Sequence, residues 1–139
     1  MNRVFVDSLY WIARLHPKDQ WHQKSKELEA SLVGTRLFTT YEVIVEVLAF
    51  FAARGLYLRR TAAELITKIL SNPNITVVPQ TRELFEAAFR LYKERQDKEW
   101  SLTDCISILV MERNGIKSVL THDHHFTQAN LTILLNNHG

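Results

Sequence analysis

Four acidic residues each border or interrupt an apolar run of the chain: Asp7 after 4–6, Glu46 within 43–51, Asp104 before 105–111 and Asp123 after 118–121. A buried carboxylate costs free energy unless another group compensates its charge. If the fold brings the four together, their mutual repulsion calls for a bound cation. Carboxylate oxygens suit Mg²⁺ or Mn²⁺ better than zinc. The pattern therefore predicts a site for a hard divalent metal.

The elements that must position these acids follow from the apolar spacing. Short runs rich in β-branched residues predict strands, and longer runs with helical spacing, bounded by glycine or proline, predict helices. The predicted strands are 3–6, 36–39, 75–78, 118–121 and 131–134, and the predicted helices are 8–15, 18–33, 41–54, 61–70, 82–96 and 102–114. Apolar strands that alternate with helices favour an α/β fold with a parallel sheet covered on both faces.

The acids are expected to lie near one edge of that sheet. Asp7 and Asp123 directly follow predicted strands, and α/β folds bind ligands beyond the carboxyl ends of their parallel strands. Glu46 lies one to two turns into the helix after the second strand, and Asp104 lies in the first turn of its helix. All four therefore belong near a strand-to-helix edge.

Each acid also has an explanation that needs no metal. Asp7 and Asp123 could be turn or loop acids, and the segment 101–104 matches a capping box at a helix start. Glu46 is the hardest to explain in this way, because its helix is apolar nearly all round. Glu42, one turn earlier on the same side, is either an alternative ligand or a first-turn acid.

Length and composition limit the classes of protein that fit. The 139 residues, 46% of them hydrophobic, predict a single domain over 1–139. The single cysteine, Cys105, excludes an internal disulfide framework and favours the reducing cytoplasm. We expect no signal peptide and no membrane span, because the apolar runs are short and are broken or ended by acids. The net charge of +2 does not by itself indicate nucleic-acid binding.

The ordered set of acids resembles PIN-domain ribonucleases, specifically the VapC-like toxins of bacterial and archaeal toxin–antitoxin pairs. The matching segments are 4–8, then 39–40 followed by Glu46, then 101–105, then 120–123 with Phe126. The resemblance covers residues 3 to about 126. It implies a three-layer α/β/α sandwich with a central, mainly parallel sheet. It also implies endonuclease activity on RNA that depends on Mg²⁺ or Mn²⁺, with the four acids around the metal and Glu46 preferred to Glu42.

The resemblance also implies supporting residues. Thr121 and Ser8 would support the site, although Ser8 is also a candidate cap of the first helix. Asp97 falls where some relatives carry another acid, and its alternative is a solvated loop acid. From position alone, three arginines beside the helix of Glu46 are candidates for phosphate contacts, with a solvated face as the alternative: Arg54, Arg59 and Arg60. Trp11 or Tyr41 could stack on an unpaired base or lie in the core.

Partners follow from the resemblance as well. It implies an RNA substrate, a homodimer, and a small antitoxin whose basic or aromatic segment enters the acidic groove. Cleavage is expected to leave a 5′-phosphate and a 3′-hydroxyl. Two other functions stay open: a PIN-like interaction module that lacks activity, and a nuclease for single-stranded or flap DNA or for RNA processing.

Three histidines surround Asp123: His122, His124 and His125. They suggest a transition-metal or His-Asp phosphohydrolase site. Consecutive residues on an extended segment point apart, however, so the three cannot all hold one ion. Cys105 has no base near it in the sequence and is predicted to pack in the core rather than act as a nucleophile.

Overall fold

Five short strands form one sheet in the order β3-β2-β1-β4-β5, and every neighbouring pair is parallel. The computed structural model describes residues 3–137, so both ends of the predicted domain, 1–2 and 138–139, lie outside the described residues. The strands are β1 (Arg3–Val6), β2 (Arg36–Thr40), β3 (Ile75–Val78), β4 (Ser118–Leu120) and β5 (Thr132–Ile133).

Helices cover both faces of this sheet. They are α1 (Ser8–Leu15), α2 (His22–Ser31), α3 (Tyr41–Phe51), α4 (Leu56–Ser71), α5 (Arg82–Glu94) and α6 (Leu102–Arg113), followed by a 3₁₀ helix, His124–Ala129. Val4, Phe5 and Val6 are all fully buried. Because successive strand side chains point to opposite faces, burial of all three requires cover on both sides. The predicted α/β/α sandwich is therefore confirmed.

The sheet edge that matters is set by the central strand. β1 lies between β2 and β4, with Phe5 paired to both Phe38 and Val119. Since the three strands are parallel, the residues that follow them emerge at the same edge. The chain leaves β1 toward β2 on one side and returns as β4 on the other. The loops therefore diverge between β1 and β4, which is the usual place for a ligand crevice in such a sheet.

Two helices begin at residues other than those predicted. α2 starts at His22 instead of 18, because Asp19 closes a turn in which its Oδ1 accepts the Trp21 N–H at 2.8 Å. α4 starts at Leu56 instead of 61, directly after Gly55, whose φ of 99° allows a sharp turn that other residues rarely adopt. Within residues 3–137, none of the helices has the length and apolar character needed to span a membrane.

Candidate metal centre

Asp7 is a buried acid at the carboxyl end of the central strand. Its N–H donates to the Leu120 carbonyl at 3.2 Å, which extends the β1–β4 ladder by one residue. The residue is only 4% exposed, and its Oδ2 accepts a hydrogen bond from Thr121 Oγ1 at 2.8 Å. Burial raises the pKa of Asp7 to about 7, and the nearby charges of Glu46 and Asp104 act in the same direction.

Glu46 reaches the same edge from α3. This helix begins at Thr40, whose Oγ1 accepts the Val43 N–H at 3.1 Å, so its start is tied to the end of β2. Burial raises the pKa of Glu46, and the charges of Asp104 and Asp123 raise it further. The Ser8 hydroxyl acts in the opposite direction by hydrogen bonding to the carboxylate. The negative field of the cluster therefore reaches Glu46.

Asp104 caps a helix and also faces the other acids. It closes the capping box of α6: the Ser101 N–H donates to Asp104 Oδ2 at 3.0 Å, and the Asp104 N–H donates to Ser101 Oγ at 3.0 Å. Burial raises the pKa of Asp104, and the charge of Asp123 adds to the effect. The cap thus fixes the position of a carboxylate that also faces the other acids.

Asp123 is the acid that follows β4. Its N–H donates to Thr121 Oγ1 at 3.1 Å, and its Oδ1 accepts the His125 N–H at 2.9 Å at the start of the 3₁₀ helix. Thr121 is fully buried and bonds both Asp7 and Asp123 through one hydroxyl. A single threonine therefore links the Asp7 carboxylate to the backbone of Asp123.

His125 completes the group and was not singled out from the sequence. Its Nδ1 lies 3.4 Å from Asp123 Oδ1 and 3.8 Å from Asp104 Oδ2. The segment is a 3₁₀ helix rather than the extended chain assumed for it, so one of the three neighbouring histidines faces the acids. His122 instead stacks on Trp21, with ring centroids 5.3 Å apart, and His124 is exposed. The three histidine rings lie in different surroundings, which agrees with the prediction that they do not all bind one ion.

The donor set suits a divalent cation. One ligand atom from each of Asp104, Asp123 and His125 lies within 4.8 Å of the other two. In the part of the chain that the structure describes, no lysine or arginine pairs with the four carboxylates, and the side-chain nitrogen beside Asp104 and Asp123 is that of His125. A carboxylate as buried as Asp7, beside other acids, fits a place where an external cation supplies the positive charge.

Comparison with known proteins gives the family. Residues 4–130 match the model of the PIN domain. The chain belongs to the PIN-domain family. The resemblance inferred from its acids is thereby confirmed, and so is the fold that this resemblance implied.

Relatives of this PIN domain are ribonucleases. It is 27% identical over 126 residues to the 23S rRNA-specific endonuclease VapC20 of Mycobacterium tuberculosis, covering 91% of this chain and 93% of that one. It is 30% identical over 100 residues to a VapC ribonuclease of Aquifex aeolicus, with 70% and 69% coverage. The relatives thus agree with the prediction of an endoribonuclease.

Solved structures agree on the fold. The crystal structure of VapC20, described as a sarcin–ricin-loop-cleaving toxin, superimposes with a TM-score of 0.82 over 93% of this chain and 96% of that one. FitAB bound to the IR36 DNA fragment gives a TM-score of 0.72 at 14% identity, covering 98% of each chain. At that identity, the FitAB likeness concerns the fold alone.

Other predicted site residues lie in different surroundings. Ser8 is the first residue of α1 rather than its cap, since Asp7 holds the cap position; its hydroxyl faces Glu46 instead. Glu42 lies in the first turn of α3. Asp97 is exposed and accepts from Arg95 Nε and Nη2, each at 3.0 Å, which favours the solvated alternative.

The residues predicted to contact the substrate differ in exposure. All three candidate arginines are exposed. Arg54 lies over the Phe50 ring at 3.8 Å from its centroid, and Arg59 donates to the Ala52 carbonyl at 2.9 Å. Tyr41 is partly exposed, whereas Trp11 is buried, which favours the core alternative for Trp11. Cys105 is buried as predicted, and burial raises its pKa to about 11.

Proposed function

We propose that this PIN-domain protein is a metal-dependent endoribonuclease and the toxin of a toxin–antitoxin pair. The observation that carries the proposal is the partly buried, negatively charged edge of the sheet, where four carboxylates interact without an arginine or lysine partner among residues 3–137. Such an edge fits a cation that attracts an RNA phosphate better than it fits a protein-binding surface. The alternative of an inactive interaction module is not favoured.

The residues proposed to hold Mg²⁺ or Mn²⁺ are Asp7, Glu46, Asp104 and Asp123. Asp7 and Asp123 are the first choices for direct ligands, because Thr121 orients both of them. Glu46 and Asp104 would bind a second ion or act through water. When bound, the cation supplies an activated water and neutralises charge on the phosphodiester.

The surrounding residues have their own proposed tasks. Thr121 donates to the Asp7 carboxylate and accepts from the Asp123 N–H, which holds that carboxylate and the Asp123 backbone in place before any substrate arrives. The Ser101 N–H donates to Asp104 Oδ2 and so fixes the position of that carboxylate at the centre. Ser8 orients Glu46. Such outer contacts orient ligands and raise the affinity of a site.

RNA is the proposed substrate because the relatives are ribonucleases. The name of VapC20 gives 23S rRNA as its target, and the coverage of both chains makes the sarcin–ricin loop the first RNA to test here. Arg54, Arg59 and Arg60 remain candidates for phosphate contacts, and Tyr41 for base stacking. The expected products carry a 5′-phosphate and a 3′-hydroxyl.

The first experiment measures cleavage of a sarcin–ricin-loop RNA, an unrelated structured RNA and a DNA of matching sequence. The reactions contain Mn²⁺ or Mg²⁺, with and without EDTA. The proposal expects RNA cleavage that EDTA and Asp123→Asn abolish and that the matched surface variant Asp97→Asn leaves intact. Cleavage that survives EDTA, or no cleavage of any RNA by folded protein, would overturn it. Cleavage confined to DNA would favour the DNA nuclease.

The toxin role and the partners are tested separately. Expression of the protein in the cytoplasm of a bacterial host should arrest growth, and co-expression of a short neighbouring gene should relieve the arrest. A homodimer is also proposed, since Phe85, Phe89 and Tyr92 on α5 are exposed by 50%, 44% and 50%. Their spacing places them along one side of the helix. Sedimentation of the purified protein should give a dimer that Phe89→Asp weakens.

A further inference from the structure

We propose that His125 is an additional ligand of the cation and biases the centre toward a first-row transition metal such as Mn²⁺ over Mg²⁺. The inference rests on the metal centre of the proposed function and deepens it, because four carboxylates alone leave the choice between the two ions open. It concerns a residue outside the set of acids that the resemblance supplied.

The distances suit coordination. Nδ1 of His125 is 3.4 Å from Asp123 Oδ1 and 3.8 Å from Asp104 Oδ2. Neighbouring ligand atoms of an octahedral ion with bonds of about 2.1 Å lie roughly 3 Å apart. The two nitrogen–oxygen distances therefore exceed the spacing of ligands on one ion by only roughly 0.4 and 0.8 Å, which small side-chain rotations close.

The backbone of His125 is held from three directions. Its N–H donates to Asp123 Oδ1 at 2.9 Å, and its carbonyl accepts from the indole Nε1 of Trp100 at 2.9 Å. The next residue, Phe126, is fully buried. The backbone that carries the ring is thus held by fixed contacts, and the ring already lies beside both acids without rearrangement of the segment. Pre-positioning of this kind lowers the cost of binding an ion.

The neighbouring histidines provide a contrast within the same short segment. The His122 ring is occupied by its stack with Trp21, and His124 is exposed. Of the three, His125 alone is paired with both Asp104 and Asp123. His124 therefore serves as a matched control, since a change there alters the local histidine count without touching the acids.

The chemistry of imidazole explains the expected selectivity. Mg²⁺ prefers oxygen ligands and keeps several waters, whereas first-row transition ions accept a neutral imidazole nitrogen readily. A nitrogen ligand therefore adds more to the binding of Mn²⁺ than to that of Mg²⁺. Neutral imidazole also adds no negative charge to a centre that already carries four carboxylates.

A different role for His125 predicts the opposite result. The same distances allow an imidazolium that only balances the charges of Asp104 and Asp123. Removal of such a cation would strengthen the binding of a metal ion or leave it unchanged, because the positive ring repels the ion. Removal of a ligand weakens binding. The sign of the change in Mn²⁺ affinity separates the two roles.

The experiment compares the wild type with His125→Gln, His125→Ala and the control His124→Gln, all without RNA. Calorimetry measures Mn²⁺ and Mg²⁺ affinity, and pulsed EPR of the Mn²⁺-loaded protein detects a coordinated nitrogen. We expect a ¹⁴N coupling in the wild type and His124→Gln that is absent from both His125 variants. Their Mn²⁺ dissociation constant should rise about tenfold or more, while that for Mg²⁺ changes less than threefold.

Selective ¹⁵N-labelling of histidine in the wild type keeps the test decisive if the His125 variants fail to fold. The label should convert the ¹⁴N coupling to a ¹⁵N coupling. Mn²⁺ binding by the wild type without histidine coupling, or equal or tighter Mn²⁺ binding by His125→Gln, would overturn this inference alone. The proposed function would fail separately if the folded wild type bound neither ion and cleaved no RNA.

Discussion

Asp7 at the sheet edge and Asp97 in the loop after α5 carry the same side chain in opposite surroundings. Burial raises the pKa of Asp7 to about 7, whereas the Arg95 guanidinium lowers the pKa of Asp97 to about 2. Elsewhere on the surface, other acids are paired in a similar way, including Glu83 with Arg113 and Glu86 with Arg82. At the sheet edge, the side-chain nitrogen beside the acids among residues 3–137 is that of His125, and no lysine or arginine pairs with them there.

The contrast is between surface acids that are paired with arginine side chains of the same chain and sheet-edge acids that no lysine or arginine among residues 3–137 neutralises. Surface pairs such as Arg95 with Asp97 contribute little to stability, since solvent screens both partners. Asp7 is buried and the other three sheet-edge acids are partly buried, so they repel one another and raise the free energy of the folded state. A fold that retains such a cluster accepts a cost in stability, which a bound cation can offset at the moment of function.

The largest expected effect is the loss of RNA cleavage when Asp7, the buried aspartate of the comparison, is changed. Asp7→Asn should reduce RNA cleavage in Mn²⁺ by roughly 10³-fold or more, about 4 kcal/mol of transition-state stabilisation. The amide keeps the shape of the side chain but removes its charge. The measurement is a single-turnover rate, with circular dichroism to show that the fold is intact. Full activity in a folded Asp7→Asn variant would remove this carboxylate from the mechanism.

The next effect is the pH dependence of stability without metal. The pKa of Asp7 is raised from 3.8 in the unfolded chain to about 7 in the folded one. The folded state therefore binds the Asp7 proton more tightly than the unfolded state does. This proton contributes its full stabilisation of the fold below about pH 4, and the contribution is lost as the pH rises toward 7. The loss should be on the order of 4 kcal/mol at most.

The pH dependence due to Asp7 is measured as the difference in the free energy of unfolding between the wild type and Asp7→Asn. Denaturant unfolding in EDTA from pH 4 to pH 8 cancels the titration of most other groups. The wild type should lose stability relative to the variant as pH rises, with no further change above about pH 8. A flat difference would mean that Asp7 is solvated or already paired.

A smaller effect is expected for the threonine that joins two of the acids. Thr121→Val keeps the shape of a fully buried residue but removes the bonds to Asp7 and to the Asp123 N–H. Stability should fall by about 1–3 kcal/mol, and activity in Mn²⁺ by about 10–100-fold. Thr121→Ser, which keeps the hydroxyl, should recover most of the activity. Equal losses in both variants would point to packing instead.

The smallest expected effect is at the exposed aspartate. Asp97→Asn removes the pairing with Arg95, yet cleavage should change less than twofold, because Asp97 lies outside the cluster of acids. The same single-turnover assay measures it. A large loss would restore the predicted role of Asp97 near the site and would weaken the contrast between the two regions.

Much of the fold was predictable from local pattern. The bounds of β1, α1 and β3 match the predictions, because each is an apolar or amphipathic run that ends at a residue of different character. The start of α6 was also predictable, since the capping box needs only residues 101–104. The starts of α2 and α4 were not, because a side-chain turn at Asp19 and the positive φ of Gly55 decided them.

The sequence by itself determined that acids follow the strands, and that Thr121 lies two residues before Asp123. Such facts depend on neighbours along the chain, which share a helical or strand period. Only the tertiary structure decided that Thr121 bonds Asp7, 114 residues away, that His125 faces Asp104, and that Asp97 stays outside. Those contacts depend on strand register and on which loops diverge at the central strand. A pattern of neighbouring residues in the sequence predicts neither of these long-range features.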